Sequence, residues 1–215
     1  MSRSPIREVA ARLGHIDGEL VSVQLGWPEE GTLAVRYYPW FEHPRVREAN
    51  AAGRPWRAEV PDEAHQVLRI HPRGLREIAL TAPVDCTELF VAERSARHWP
   101  HEPTGQVVIN AALPAGALEA ACAELLGELA PHALEFVGDA LAPAPPLSLR
   151  WPASLHACLV RALEQSGTAH LVTSTPAAAE PLVTLGFGDG SYLIAEDFEV
   201  ELPTFEFRDD WVKVG

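Results

Sequence analysis

Two histidines and a glutamate stand close together at His98-Trp99-Pro100-His101-Glu102. Zinc hydrolases set paired imidazoles on one helical face with a glutamate beside them, so that the ring nitrogens converge on one ion. Here Pro100 lies inside the spacing and breaks the helix that would align the rings. Two loop histidines still share a metal if a third ligand arrives from elsewhere, such as His71 or His43. On that alternative the chain is a metal-dependent hydrolase working with the His, Asp and Glu residues between His65 and Glu102, Asp85 included. The broken spacing favours the plainer reading, a polar loop around a packed Trp99 with no metal and no cofactor.

Nucleophile sets are sparser. There is no G-x-S-x-G elbow. Cys86 follows Asp85, and Cys158 stands two residues after His156, but positions two apart on a helix point to different faces. Lys213 is the single lysine among 17 basic residues and stands near the end of the chain, which speaks against Schiff-base chemistry. That bias, with abundant Ala and Pro, reads as the codon usage of a GC-rich bacterial genome. The three cysteines, Cys86, Cys122 and Cys158, are odd in number and form no C-x-x-C. They read as buried reduced thiols in a reducing compartment.

Carboxylates are the most concentrated functional group. Glu196, Asp197, Glu199 and Glu201 crowd one stretch, and Glu206, Asp209 and Asp210 follow. On a strand, Asp197, Glu199 and Glu201 share a face, and carboxylates that close repel unless a cation or a basic partner relieves them. An aromatic corner, Tyr37-Tyr38-Pro39-Trp40-Phe41, offers residues favoured both in cores and at interfaces. Together they suggest a non-enzymatic module, such as an immunity or accessory protein, that engages a basic protein through Glu196, Asp197, Glu199, Glu201, Asp209, Asp210, Tyr38 and Trp40.

The charge balance supports that class. Against 17 basic residues stand 30 acidic ones, a net charge of −13, which argues against nucleic acid and against anionic lipid. No run reaches membrane-spanning length, and the start of the chain has no signal-peptide core, so a cytoplasmic location is expected.

The elements that must hold these groups read as α+β. Leu182–Phe187 and Ser191–Leu202 form a hairpin across Gly188-Asp189-Gly190, taken as the middle of a sheet. Glu19–Gly26 and Thr32–Tyr38 form a second hairpin, with Val21, Val23 and Leu25 inward. His65–Ile70 and Glu77–Thr81 form a third around His71-Pro72-Arg73-Gly74. Helices are expected over residues 5–13, 44–52, 114–129 and 153–165, and over the segment from Asp85 to Trp99, which a strand at Leu89-Phe90-Val91 rivals. The long helix at 114–129 is read with Leu118, Cys122, Leu125 and Leu129 inward, and Leu134–Val137 as a strand. A mainly antiparallel sheet with helices on one face results. The chain reads as one domain over residues 1–215, and the proline-rich stretch 139–150 is the one place where it would divide, into 1–138 and 151–215.

The Gly-rich turn Gly186-Phe187-Gly188-Asp189-Gly190-Ser191 leads into a strand, so it lacks the helix N-terminus of a phosphate loop. With Tyr192 it forms a G-x-G-D-G-S-Y stretch. Over Leu185 to Ala195 this resembles the closing segment of a bacterial domain family of unknown function, whose members carry a glycine-aspartate-glycine-tyrosine turn. The resemblance implies a hairpin there and no activity.

Overall fold

A computed structural model describes residues 3–13, 17–26, 30–38, 43–59, 61, 64–81, 89–114, 116–141, 144–188, 190–203 and 206–215. The chain divides into two compact units: Met1–Glu93 with Leu182–Gly215, and the intervening Arg94–Pro181. Residues 139–150 lie inside the second unit, where Asp139–Leu141 is a 3-10 turn.

The first unit begins with β1 (Arg3–Pro5), α1 (Ile6–Leu13), β2 (Asp17–Gly26), β3 (Glu30–Tyr38), α2 (Pro44–Ala51), β4 (Trp56–Ala58), β5 (Gln66–Arg73), β6 (Glu77–Ala79) and β7 (Leu89–Ala92). The second unit holds β8 (Thr104–Ile109), α3 (Ala117–Leu126), α4 (Ala130–Gly138), β9 (Leu147–Pro152), α5 (Ala153–Ser166) and β10 (His170–Ser174). The first then resumes with β11 (Val183–Phe187), β12 (Tyr192–Ala195), β13 (Asp197–Glu201) and β14 (Val212–Val214).

Antiparallel sheets with interspersed helices make this an α+β fold. In the first unit the strand order is β1-β13-β5-β3-β2 in one sheet and β6-β12-β11-β7 in another, with a small β14-β4 pair. The expected hairpin β11–β12 does occupy the middle of its sheet. However, the run from Ser191 to Leu202 is two strands, not one. It bends at Glu196, so that β12 pairs with β6 while β13 pairs with β5. The same bend replaces the expected third hairpin, because β5 and β6 also lie in different sheets and turn between them at Gly74. Gly74 has a φ of 57°, a region that favours glycine. A Cβ there would collide with the Glu196 carboxylate. Two neighbouring strands thus turn one corner together, a device by which strands switch between packed sheets.

Period-two patterning gives this corner its core. Phe198 and Val200 of β13, Leu33, Val35 and Tyr37 of β3, and Leu68 and Ile70 of β5 share one buried cluster with Leu185, Phe187, Leu193 and Leu89 of the second sheet. Ile6, Val9 and Ala10 of α1 join it, as their spacing predicts. Val21 does not. A bulge between Leu20 and Ser22 turns it outward, and it is 47% exposed. Leu89–Ala92 is a strand rather than a helix, since its pairing with β11 outweighs local propensity; residues 82–88, with Asp85 and Cys86, lie outside the described residues. That pairing sets Ala92 opposite Thr184, so the chain leaves and re-enters the first unit on adjacent strands. Insertions between such neighbouring ends disturb a sheet little.

The second unit is a three-stranded sheet, β10-β8-β9. Val107, Ile109, Leu149 and Trp151 pack against Leu155, Leu159 and Leu163 of α5. The expected helix at 114–129 is shorter: α3 stops at Leu126, a 3-10 turn spans Gly127–Leu129, and α4 follows. Leu134–Val137 therefore belongs to a helix, not a strand. The buried stripe of α3 is Leu118, Ala121, Cys122 and Leu126, which leaves Leu125 41% exposed.

Candidate functional site

The β13 carboxylates fall where period two puts them. Phe198 and Val200 are fully buried, whereas Asp197, Glu199 and Glu201 share the outer face, half-buried. What the sequence did not reveal is their neighbour. In register, Asp197 faces Arg73, Glu199 faces His71 and Glu201 faces Arg69 of β5. Arg73 comes within 3.3 Å of Glu199, and His71 Nε2 within 3.3 Å of Glu201. Glu196 pairs with Arg76 at 2.6 Å, and its N–H donates to the Arg73 carbonyl at 2.9 Å. Arg73 and Arg76 thus relieve part of the repulsion along the strand from within the chain.

Thr32 Oγ1 lies 3.1 Å from His71 Nδ1, which with Glu201 gives a hydroxyl–imidazole–carboxylate series. His71 Nε2 makes no hydrogen bond to Glu201, and that contact is electrostatic only when the ring is charged.

The remaining candidates are scattered. Asp209 and Asp210 lie in a 3-10 turn before β14, beside the small cluster of Val46, Ala64, Trp211 and Val212. Arg208 binds Asp210 at 2.6 Å and holds its carboxyl below the ordinary carboxylate range. Tyr38 closes β3 opposite Asp17. Trp40 lies outside the described residues.

Glu102, a candidate metal ligand, has other work. Its two oxygens accept from Ser154 N–H at 2.7 Å and Ser154 Oγ at 2.8 Å. Those bonds cap α5, whose own N-cap is Pro152 with no side-chain bond. His98 is buried in the 3-10 turn Ala96–His101, and burial, then the charge of His101, pushes its pKa down. His43 caps α2, accepting from Arg45 N–H at 3.2 Å while its Nε2 donates to the Arg208 carbonyl at 3.0 Å. Among the described residues no three His, Cys, Asp or Glu side chains converge as a metal site.

His156 and Cys158 do face different ways. His156 packs on Gly105 and Pro176, where a Cβ on Gly105 would collide with both. Burial pushes the His156 pKa down, against a hydrogen bond to the Ser174 backbone. Cys158 meets Cys122; that contact, then burial, pushes the Cys158 thiol far up, away from the thiolate a nucleophile needs.

A second set of carboxylates is matched only in part: Glu124 of α3 meets Arg161 of α5 at 2.7 Å. On the α3–α4 helical hairpin, Glu119, Glu128 and Glu135 are exposed and form no ion pair among the described residues. The same hairpin exposes Leu125 and Phe136, the latter 51% exposed and edge-on to Trp99 at 5.7 Å. Arg94 donates to the Leu125 and Leu126 carbonyls, which steadies the end of α3. Beside this surface opens a cavity of about 330 Å³ lined by Ile109, Leu118, Glu119, Leu134, Val137 and Leu147, among others. The sequence reading missed it by a helical register: counting Ala121 as core rotates the stripe and leaves Leu125 outside.

Comparison with protein-family models, with curated proteins and with solved structures finds no match. Among the described residues, no helix is long and apolar enough to cross a membrane.

Proposed function

We propose that this chain is a non-enzymatic binding protein, of the class to which bacterial immunity and accessory proteins belong, and that its α3–α4 hairpin engages a basic protein partner. One observation carries the reading: Glu119, Glu128 and Glu135 are unmatched among the described residues and share their hairpin with exposed Leu125 and Phe136. Unmatched carboxylates attract and orient a cationic surface, and the net charge of −13 adds a field of the same sign. Exposed Leu and Phe supply the apolar contact from which an interface draws its tighter binding.

The test is retention from a lysate of the source organism on the immobilised protein, followed by a salt gradient. A basic protein released by salt is expected, lost in the double variant Glu128→Lys/Glu135→Lys and kept in Glu199→Gln. Salt-insensitive retention, or loss in Glu199→Gln alone, contradicts the proposal.

A further inference from the structure

The cavity beside the hairpin joins the ends of several elements. Ile109 closes β8, Leu147 opens β9, Leu118 lies in the first turn of α3, and Leu134 and Val137 line it from α4. At about 330 Å³ it lies at the small end of the range for ligand sites. Sites for small molecules add several convergent polar groups that fix the ligand's orientation. Here the lining side chains are aliphatic or proline apart from Glu119, the one ionisable side chain among the described residues, and polar surface shows between them. Such a room selects for bulk and apolarity rather than for a pattern of donors. Glu119, exposed and without an ion pair among those residues, adds a negative charge to it.

We infer that the cavity receives a bulky apolar side chain of the basic partner, with a neighbouring lysine or arginine of that partner set against Glu119. This rests on the partner reading above and names what that partner must carry: an aromatic or large aliphatic residue flanked by cations. Charge complementarity chooses the occupant. A fatty acid or phosphate ester would bring its anion against Glu119 and into the field of an acidic protein. Continuity supports it too, since α3 and α4 line the cavity and, with the turn that joins them, carry Leu125, Glu128, Glu135 and Phe136. An apolar anchor in a pocket, ringed by polar contacts, is the usual arrangement of an interface hot spot.

The experiment uses the full chain, isotopically labelled, and two capped peptides, Arg-Trp-Arg-Arg and Arg-Ala-Arg-Arg, followed by NMR titration with tryptamine in parallel. The tryptophan peptide is expected to bind at least about tenfold tighter than the alanine peptide, a gap of about 1.4 kcal/mol. Its shifts should centre on Leu118, Leu134 and Val137, and Glu119→Lys should weaken it by about tenfold. Glu119 is exposed, so that variant keeps the fold; Leu134→Trp, which fills the room, is the second check. Equal binding of both peptides on the hairpin overturns the anchor while leaving the partner reading intact. Tryptamine binding as tightly as the peptide overturns it in favour of a small-ligand site. Binding of neither peptide overturns the anchor outright, and the lysate experiment then judges the partner reading separately.

Discussion

On β13, Glu199 and Glu201 stand beside Arg73 and His71; on α3, the turn after it and α4, Glu119, Glu128 and Glu135 form no ion pair among the described residues. The first set is denser in sequence, yet the second is the electrostatically open one. The difference lies in what each element neighbours. A strand in the interior of a sheet acquires cross-strand partners on both sides, and β5 supplies Arg69, His71 and Arg73 in register. Of the helical hairpin's outward carboxylates, Glu124 meets Arg161 of α5, whereas Glu119, Glu128 and Glu135 form no ion pair among the described residues and keep their field. Crowding of acids in the sequence therefore marks a binding surface only after pairing has been subtracted.

The two units also differ in how they hold their polar groups, and that contrast can be broken by substitution. The largest effect is expected in the core of the first unit: Phe198→Ala should cost about 3–5 kcal/mol, read as lost hydrogen-exchange protection on β5 and β13. Protection of α5 should change far less, because the second unit has a core of its own. Next, Gly105→Ala forces a methyl against the His156 ring and Pro176 and should cost about 1–3 kcal/mol, with protection lost on β8 and α5.

Acid should separate the units without mutation. His98 and His156 both have folded pKa values pushed down by burial. Each then binds fewer protons folded than unfolded. The stability it supports is full above its unfolded pKa of about 6.5 and declines as pH falls from there toward the folded value. Thermal melts between about pH 7.5 and pH 5 are expected to show the second unit weakening in that window, and the double variant His98→Phe/His156→Phe should flatten the slope. The smallest effect belongs to the ladder: Glu199→Gln removes a half-exposed pair and should change stability by about 0–1 kcal/mol, measured by urea denaturation.

Much of the architecture was legible in residues 6–13, 17–26, 30–38 and 153–166, where apolar spacing agrees with the observed elements except at the Val21 bulge. Some failures are local, as in the stripe of α3 and the helix at Leu134–Val137, but most come from information held at long range. Glu196 looks like the interior of a continuous strand, because nothing local says that Gly74 turns a neighbouring strand at the same point. Leu89-Phe90-Val91 is ambiguous until β11 pairs with it, and β11 lies beyond the whole inserted unit. Glu102 looks available until Ser154 takes both of its oxygens. The same holds for the site. The sequence shows where carboxylates are, but the basic side chains that silence those of β13 come from β5, far away in the chain.

The most direct test compares two variants of equal charge change in the salt-released complex. Glu128→Gln/Glu135→Gln neutralises the open hairpin, and Glu199→Gln/Glu201→Gln neutralises the paired strand. The account predicts that the hairpin variant loses affinity and much of its salt dependence, while the strand variant binds as the parent does. Loss of binding in the strand variant, with the hairpin variant unaffected, would return the partner to β13 and contradict the account.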